Sequence, residues 1–194
     1  YSSLKQADRV IVQTQWMKQE VIERCCINDD KIEVKEVKVK QRSCVPRQRM
    51  EQILFFYPAT TFKFKNCEII IKACKLLKEK GIENYKVIIT FTGNENRLAG
   101  SVARSIRAYD LPVELVGRLN REQMESMYKR SILLFPSYLE TVGLPLLEAK
   151  EFGAAVIAAD CKYAHEVLDR YESAFYFHYE DAAALADKMR GFIE

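Results

Sequence analysis

Glycine and proline are scarce in this chain, at seven and five residues in 194, which excludes collagen-like and low-complexity classes and disfavours a loop-rich secreted scaffold. No apolar run approaches the ~20 residues that span a bilayer, so no membrane helix is expected. A charge excess is missing as well. Thirty Lys and Arg against 27 Asp and Glu leave +3, too near neutral for a nucleic-acid-binding surface. There is no CxxC pair and no Cys/His ligand spacing, so neither a metal site nor thioredoxin-type chemistry is expected. What is present is 48% hydrophobic and 29% charged, the balance of a soluble chain that buries a real core rather than staying disordered.

The six cysteines do not form a disulfide framework. Cys25 and Cys26 are adjacent, Cys67 and Cys74 share one helical pattern, and Cys44 and Cys161 stand alone. Read as free thiols that act as small hydrophobes, they point to a reducing, cytoplasmic compartment. The chain opens YSSLKQ, without methionine or a signal-peptide pattern, and is read as a fragment that starts in mid-fold.

Periodicity predicts a strand over Arg9–Thr14, a helix over Gln15–Cys26 and a strand over Ile32–Val39. The basic stretch KQRSCVPRQR over Lys40–Arg49 is read as a solvated linker, with too few cations to hold an anionic lipid surface firmly. The organisation is therefore 1–39, a linker over 40–51, and a main domain over 52–194. In that domain strands at Ile53–Tyr57, Tyr85–Thr92, Val113–Val116, Ile132–Phe135, Ala155–Ala159 and Ala174–Phe177 alternate with helices. The helices fall at Asn66–Lys80, the stretch up to Tyr109, Arg121–Arg130, Leu144–Phe152, Ala164–Leu168 and Ala182–Ile193. This rhythm, with strands nearly continuous in apolar residues, calls for an α/β, doubly wound, Rossmann-like parallel sheet. Ligands of such a sheet bind outside the carboxyl ends of the strands. Five loops then share one rim: 58–65, 93–95, 117–120, 136–143 and 160–165.

The stretch PSYLETVGLPLLEAKEFGAAVIAAD carries the most chemistry. A strand ends at Pro136 and a helix opens near Pro145, a residue favoured in the first helical turn. The free N–H groups of Val142, Gly143 and Leu144 then face outward at the positive end of the helix dipole, as an anion site requires. Gly143 lets a ligand approach without a Cβ in the way. Glu148 follows about one turn into the helix, where a carboxylate can accept from a vicinal diol, and Glu140 lies on the other side of the anion position. Ribose, diphosphate and hexose of a nucleotide sugar fit that order. His165 is read as a surface histidine, His178 carries no case, and Asp160 is read as a cap for the turn after it. Tyr57, Phe62 and Phe64 are assigned to packing.

ETVGLPLLEAKEFGAAVIAAD resembles the E-x7-E motif of the retaining, GT-B-type glycosyltransferases of family 4. The likeness extends to FFYPATTFKFKNCEIIIKAC and ELVGRLNREQMESMYKRSILLFPS upstream and to CKYAHEVL and ALADKMRGFI downstream. ADRVIVQTQWMKQEVIERCCINDDKIEV resembles the end of that family's N-terminal, acceptor-binding domain. The resemblance implies the C-terminal, donor-binding half of such an enzyme plus a short remnant of its partner domain. It implies catalytic roles for Glu140 and Lys65, with Lys65 gripping the diphosphate. It also implies donor contacts from Thr141, Val142, Gly143, Leu144 and Glu148, and from the backbone of Arg118 and Leu119 at the nucleobase edge.

Thr141 and Val142 replace the family's usual Gly and Phe, and Ala155 its proline. The arginine that usually accompanies the loop lysine is absent from Thr60–Phe62, and Lys63 is the candidate substitute. The expected reaction is hexose transfer from a nucleoside-diphosphate sugar with retention, needing no cofactor and no metal. The expected acceptor is a glycan or lipid-linked molecule, as in polysaccharide biosynthesis. The setting would be cytoplasmic, with room for a peripheral contact at the inner face of a membrane, and no nucleic acid is involved. The intact enzyme should be about twice as long, the isolated piece inactive. Two alternatives are a noncatalytic nucleotide-sugar-binding module and a receiver- or flavodoxin-like protein. The latter would need an acidic pocket at the first strand end, where Tyr57-Pro58-Ala59 has no carboxylate.

Overall fold

The computed structural model describes residues 2–37 and 52–194. The basic linker and Cys44 lie outside the described residues.

A short helix α1 (Ser2–Gln6), which periodicity did not indicate, precedes strand β1 (Val10–Val12), helix α2 (Gln15–Cys25) and strand β2 (Ile32–Val34). β1 and β2 pair in parallel over three residues each. The expected run of β2 to Val39 stops short because β1 supplies no further partner: the last ladder-like bond is Lys35 N–H to Val12 O. This layer has its own small core of Val10, Val12, Val21, Cys25, Ile27 and Ile32. Thr14 starts α2 by accepting the Met17 N–H on its hydroxyl, which satisfies one of the unpaired donors of the first turn.

The main domain runs β3 (Ile53–Tyr57), α3 (Cys67–Glu79), β4 (Tyr85–Ile89), α4 (Arg97–Ala108), β5 (Val113–Leu115), α5 (Arg121–Arg130), β6 (Ile132–Phe135), α6 (Leu144–Glu151), β7 (Val156–Ala159), α7 (Lys162–Val167), β8 (Ala174–Phe177) and α8 (Ala182–Ile193). All six strands are parallel, in the order β5-β4-β3-β6-β7-β8. Every residue of β6 and β7 is buried, as expected where helices cover both faces of a sheet. Buried Cys67, Ile70, Ile71, Cys74 and Leu77 line one face of α3, which packs against α4 and α8. α5 opens with a reciprocal Asn120–Gln123 capping box.

In the main domain two boundaries differ from the periodicity by more than one residue, both for local reasons. β4 ends at Ile89 rather than Thr92, and the Glu95 carboxylate takes the N–H groups of Thr92 and Gly93 that a longer strand would have left to a neighbour. α7 starts at Lys162 rather than Ala164, because the Cys161 carbonyl already accepts the Ala164 N–H.

The order of strands decides where a ligand can sit. The chain builds β3, β4 and β5 outward, then returns to place β6 on the other side of β3. The loops after β3 and β6 therefore diverge from neighbouring strands, opening a crevice at the switch point. Lys65 comes from the first loop and Glu140 from the second.

Candidate functional site

Lys65 closes a 3-10 turn over Lys63–Lys65, and Asn66 follows at φ 55 before α3 begins. Asn66 is held in this left-handed conformation by its amide, which donates to the carbonyls of Pro136 and Tyr179. Beneath the turn, the fully buried Tyr57 hydroxyl donates to the Lys65 carbonyl. The Phe64 carbonyl accepts from Ser137 Oγ and Tyr138 N, each at 3.1 Å, stitching the β3 loop to the β6 loop. The buried Tyr163 hydroxyl donates to the Ser137 carbonyl on the far side of that seam. The two loops thus form one rigid rim.

On this rim Lys65 Nζ lies 2.5 Å from Glu140 Oε1, with the two side chains only 18% and 12% exposed. Burial first, and the negative charges around it including Glu140, push the Tyr57 hydroxyl well above the usual phenol range. The same holds for Tyr163, by burial and then by Cys161 and Glu140. Both tyrosines therefore act as fixed donors.

Gly143 precedes α6 at φ 72, and a Cβ there would also meet Leu146 Cδ1 at 3.2 Å. Among the described residues the N–H groups of Val142, Gly143 and Leu144 find no protein acceptor. They stand at the positive end of the α6 dipole, an arrangement that suits an anion. Glu148 sits one turn on. Its Oε2 accepts from the Tyr128 hydroxyl at 2.6 Å, while Oε1 has no hydrogen-bond donor among the described residues. Burial, then the Glu148 charge, raises the Tyr128 phenol far above its ordinary value, so Tyr128 too remains a donor.

Three depressions converge on Lys65. One, of about 610 Å³, lies over the ends of β3, β4 and β5, and Thr60, Thr61, Glu95, Arg118 and Leu119 help to line it. A second, of about 460 Å³, runs along Glu140 to Pro145 and reaches Gln13 and Val37. The third, of about 490 Å³, is more apolar, with Met17, Phe62, Phe64 and Leu139. The structure thus brings together Lys65, Glu140, Thr141, Val142, Gly143, Leu144, Arg118 and Leu119. Lys63 is exposed and lines none of the three, and Glu148 lies outside them as well. Arg118 is the second cation that shares a depression with Lys65.

Other residues sit differently from their sequence reading. His165 lies at the surface, as read, but is partnered: its Nε2 is 2.6 Å from Asp160 Oδ1 and its ring stacks on Tyr176 at 4.1 Å. Asp160 accordingly engages His165, and Cys161 occupies the cap position of α7. Tyr57 is packing, as expected, whereas Phe62 stacks on Phe64 yet stays 58% exposed. Tyr128 and Thr14 escaped the sequence reading. Each falls inside or beside an expected helix, and no local pattern tells that its hydroxyl reaches a residue 20 or 127 positions away.

Known proteins share this architecture. A glycosyltransferase from Rickettsia africae ESF-5 superposes with a TM-score of 0.80 at 20% identity, covering 98% of this chain and 54% of its own. Anabaena HepE, solved in complex with UDP and glucose, gives 0.80 at 18% identity, covering 97% and 54%. The sucrose-phosphate synthase of Thermosynechococcus elongatus gives 0.78 at 19% identity, covering 98% and 50%. The chain thus spans about half the length of these proteins, and its parallel sheet with flanking helices is the Rossmann-like half of a GT-B fold. The family model of the glycosyl transferases group 1 matches residues 40–194, and the chain belongs to that family. A search of curated protein sequences finds no match. No described helix is long and apolar enough to cross a membrane.

Proposed function

We propose that this chain is the donor-binding half of a retaining glycosyltransferase that moves a hexose from a nucleoside-diphosphate sugar to a glycan or lipid-linked acceptor. The observation that carries the reading is the meeting of Lys65 and Glu140 across the switch point, beside the unbonded amides of Val142–Leu144. The diphosphate would lie on those amides with Lys65 against it, and Arg118 would supply the second cation that the Thr60–Phe62 stretch lacks. Leaving-group charge that develops as the glycosidic bond breaks would meet donors already aimed at it, usually the largest contribution to such catalysis. Glu140, released from Lys65, would accept from the hexose hydroxyls. Glu148, oriented by Tyr128, would offer Oε1 to the ribose diol.

The acceptor site would belong largely to a partner domain, of which residues 1–39 are the closing part. The isolated chain would then bind donor and transfer nothing. A likeness to Anabaena HepE, solved with UDP and glucose, supports the donor class without naming the base or sugar of this protein.

A thermal-shift panel over UDP, GDP, ADP and dTDP and their sugars tests the reading. A ligand at 100 times its Kd should add about 2.7 kcal/mol, a rise of roughly 5–10 °C for a chain of this size. No shift with any of them would overturn it.

A further inference from the structure

Helix α2 belongs to the small N-terminal layer, yet its first turn is completed by the main domain. Glu166 of α7 receives the Gln15 N–H on Oε1 at 2.6 Å and the Trp16 N–H on Oε2 at 2.7 Å. A carboxylate at that end also complements the helix dipole. The Trp16 ring meets Tyr163 edge-on at 6.1 Å, and Tyr163 in turn donates to Ser137 in the β6 loop. The remaining donor of the turn, Met17 N–H, goes to Thr14 Oγ1 at 3.1 Å. That leaves the Thr14 hydroxyl proton to be used elsewhere. It is donated to the Thr141 carbonyl at 3.2 Å, and Thr14 is 4% exposed.

The partner of that bond matters. Thr141 follows Glu140, and its carbonyl shares a peptide plane with the Val142 N–H, the first of the three unbonded amides before α6. In a trans peptide the two groups point in opposite directions. A bond to the carbonyl therefore fixes the direction in which the Val142 amide can donate. No other described side chain hydrogen-bonds this peptide.

We infer that Thr14 is a positioning residue for the donor diphosphate: from outside the main domain it orients the Thr141–Val142 peptide so that its N–H is preset for a phosphate oxygen. This rests on the proposed donor site and adds a residue of the N-terminal layer to it. Glu166 seats the same helix end but makes no hydrogen bond to the loop among the described residues, so the two contacts can be separated.

The experiment measures, for wild type, T14V, T14S and E166Q, the thermal midpoint and the Kd of whichever of UDP, GDP, ADP or dTDP binds wild type most tightly. T14V should lower affinity about five- to tenfold, the range expected when one amide donor loses its orientation, and T14S, which keeps the hydroxyl, should restore it to within about twofold. E166Q should lower the thermal midpoint at least as much as T14V with affinity held within about twofold, since it loosens α2 without freeing the peptide. T14V binding like wild type, or E166Q losing as much affinity as T14V, would overturn the inference alone. Wild type binding none of the four would remove the donor site and this inference with it.

Discussion

Lys65 and Glu140 are partners: the ammonium lies 2.5 Å from one carboxylate oxygen, and both side chains are largely buried on the rim between β3 and β6. The two charged groups proposed to meet different parts of the donor thus satisfy each other in its absence. On the proposed function, an entering diphosphate would have to take Lys65 from Glu140, and would leave the carboxylate without its cation beside the sugar.

The two substitutions should therefore diverge. Lys65→Ala should weaken nucleoside-diphosphate binding at least about tenfold, the loss of one charge-assisted hydrogen bond. Glu140→Gln removes the competitor for Lys65 and a negative charge near the phosphates, so diphosphate binding should hold or tighten while sugar transfer by the complete enzyme falls. Exposed Lys63 serves as the contrast, and its alanine variant should change affinity by less than about twofold. Titration calorimetry reads all three, and equal losses in K65A and E140Q would contradict the exchange.

Among the described residues Tyr128 supplies the hydroxyl that holds Glu148, and Tyr128→Phe removes it. Nucleoside-diphosphate affinity should drop about three- to tenfold, the worth of an ordinary hydrogen bond, since Tyr128 acts on the ribose only through Glu148. Inorganic pyrophosphate, which has no ribose, should bind the variant as it binds wild type. Parallel losses for both ligands would mean that Glu148 does not serve the ribose.

Gly143→Ala forces a Cβ into a left-handed backbone and against Leu146. The backbone cost alone is about 1–2 kcal/mol, so the thermal midpoint should fall by roughly 2–8 °C. Diphosphate affinity should fall with it, because relief of the strain would turn the adjacent amides. An unchanged midpoint would show that the loop accommodates a side chain freely.

Glu95 gives a pH signature. Slight burial pushes its carboxyl up, but the Thr92 N–H, the Thr92 hydroxyl and the Gly93 N–H outweigh this and hold it down to about 2, from an ordinary value of 4.5. A folded-state value below the unfolded one means stability that is present above pH 4.5 and is lost as pH falls through about 2. Wild type should melt above Glu95→Gln at pH 7, and the gap should shrink on acidification below pH 4.5. A gap that stays constant down to pH 2.5 would contradict this, and urea melts at several pH values offer a second readout.

The strand–helix rhythm of residues 52–194 needed no tertiary information. Ile53–Tyr57, Arg121–Arg130, Ile132–Phe135 and Ala182–Ile193 are bounded where their patterns end. The reason is that an apolar face, a cap and a terminating proline are properties of neighbouring residues. The candidate loop at Glu140–Gly143 was equally visible, since Gly143 and Pro145 announce a helix start whatever surrounds them. Less legible were the ends set by partners, such as the halt of β2 at Val34, where β1 runs out.

What the amino-acid order determined by itself is thus the class of fold, the rim and the stretch that supplies the candidate site. Only the folded molecule decided which groups these residues keep. Lys65 meets Glu140 because the return of the chain places β6 beside β3; Glu148 is tied to Tyr128 because α5 packs against β3; Thr141 is pinned by Thr14 because α2, from another layer, docks on α7. Periodicity is a local property of a chain, whereas a hydrogen-bond partner 75 or 127 positions away is a consequence of strand order and layer docking.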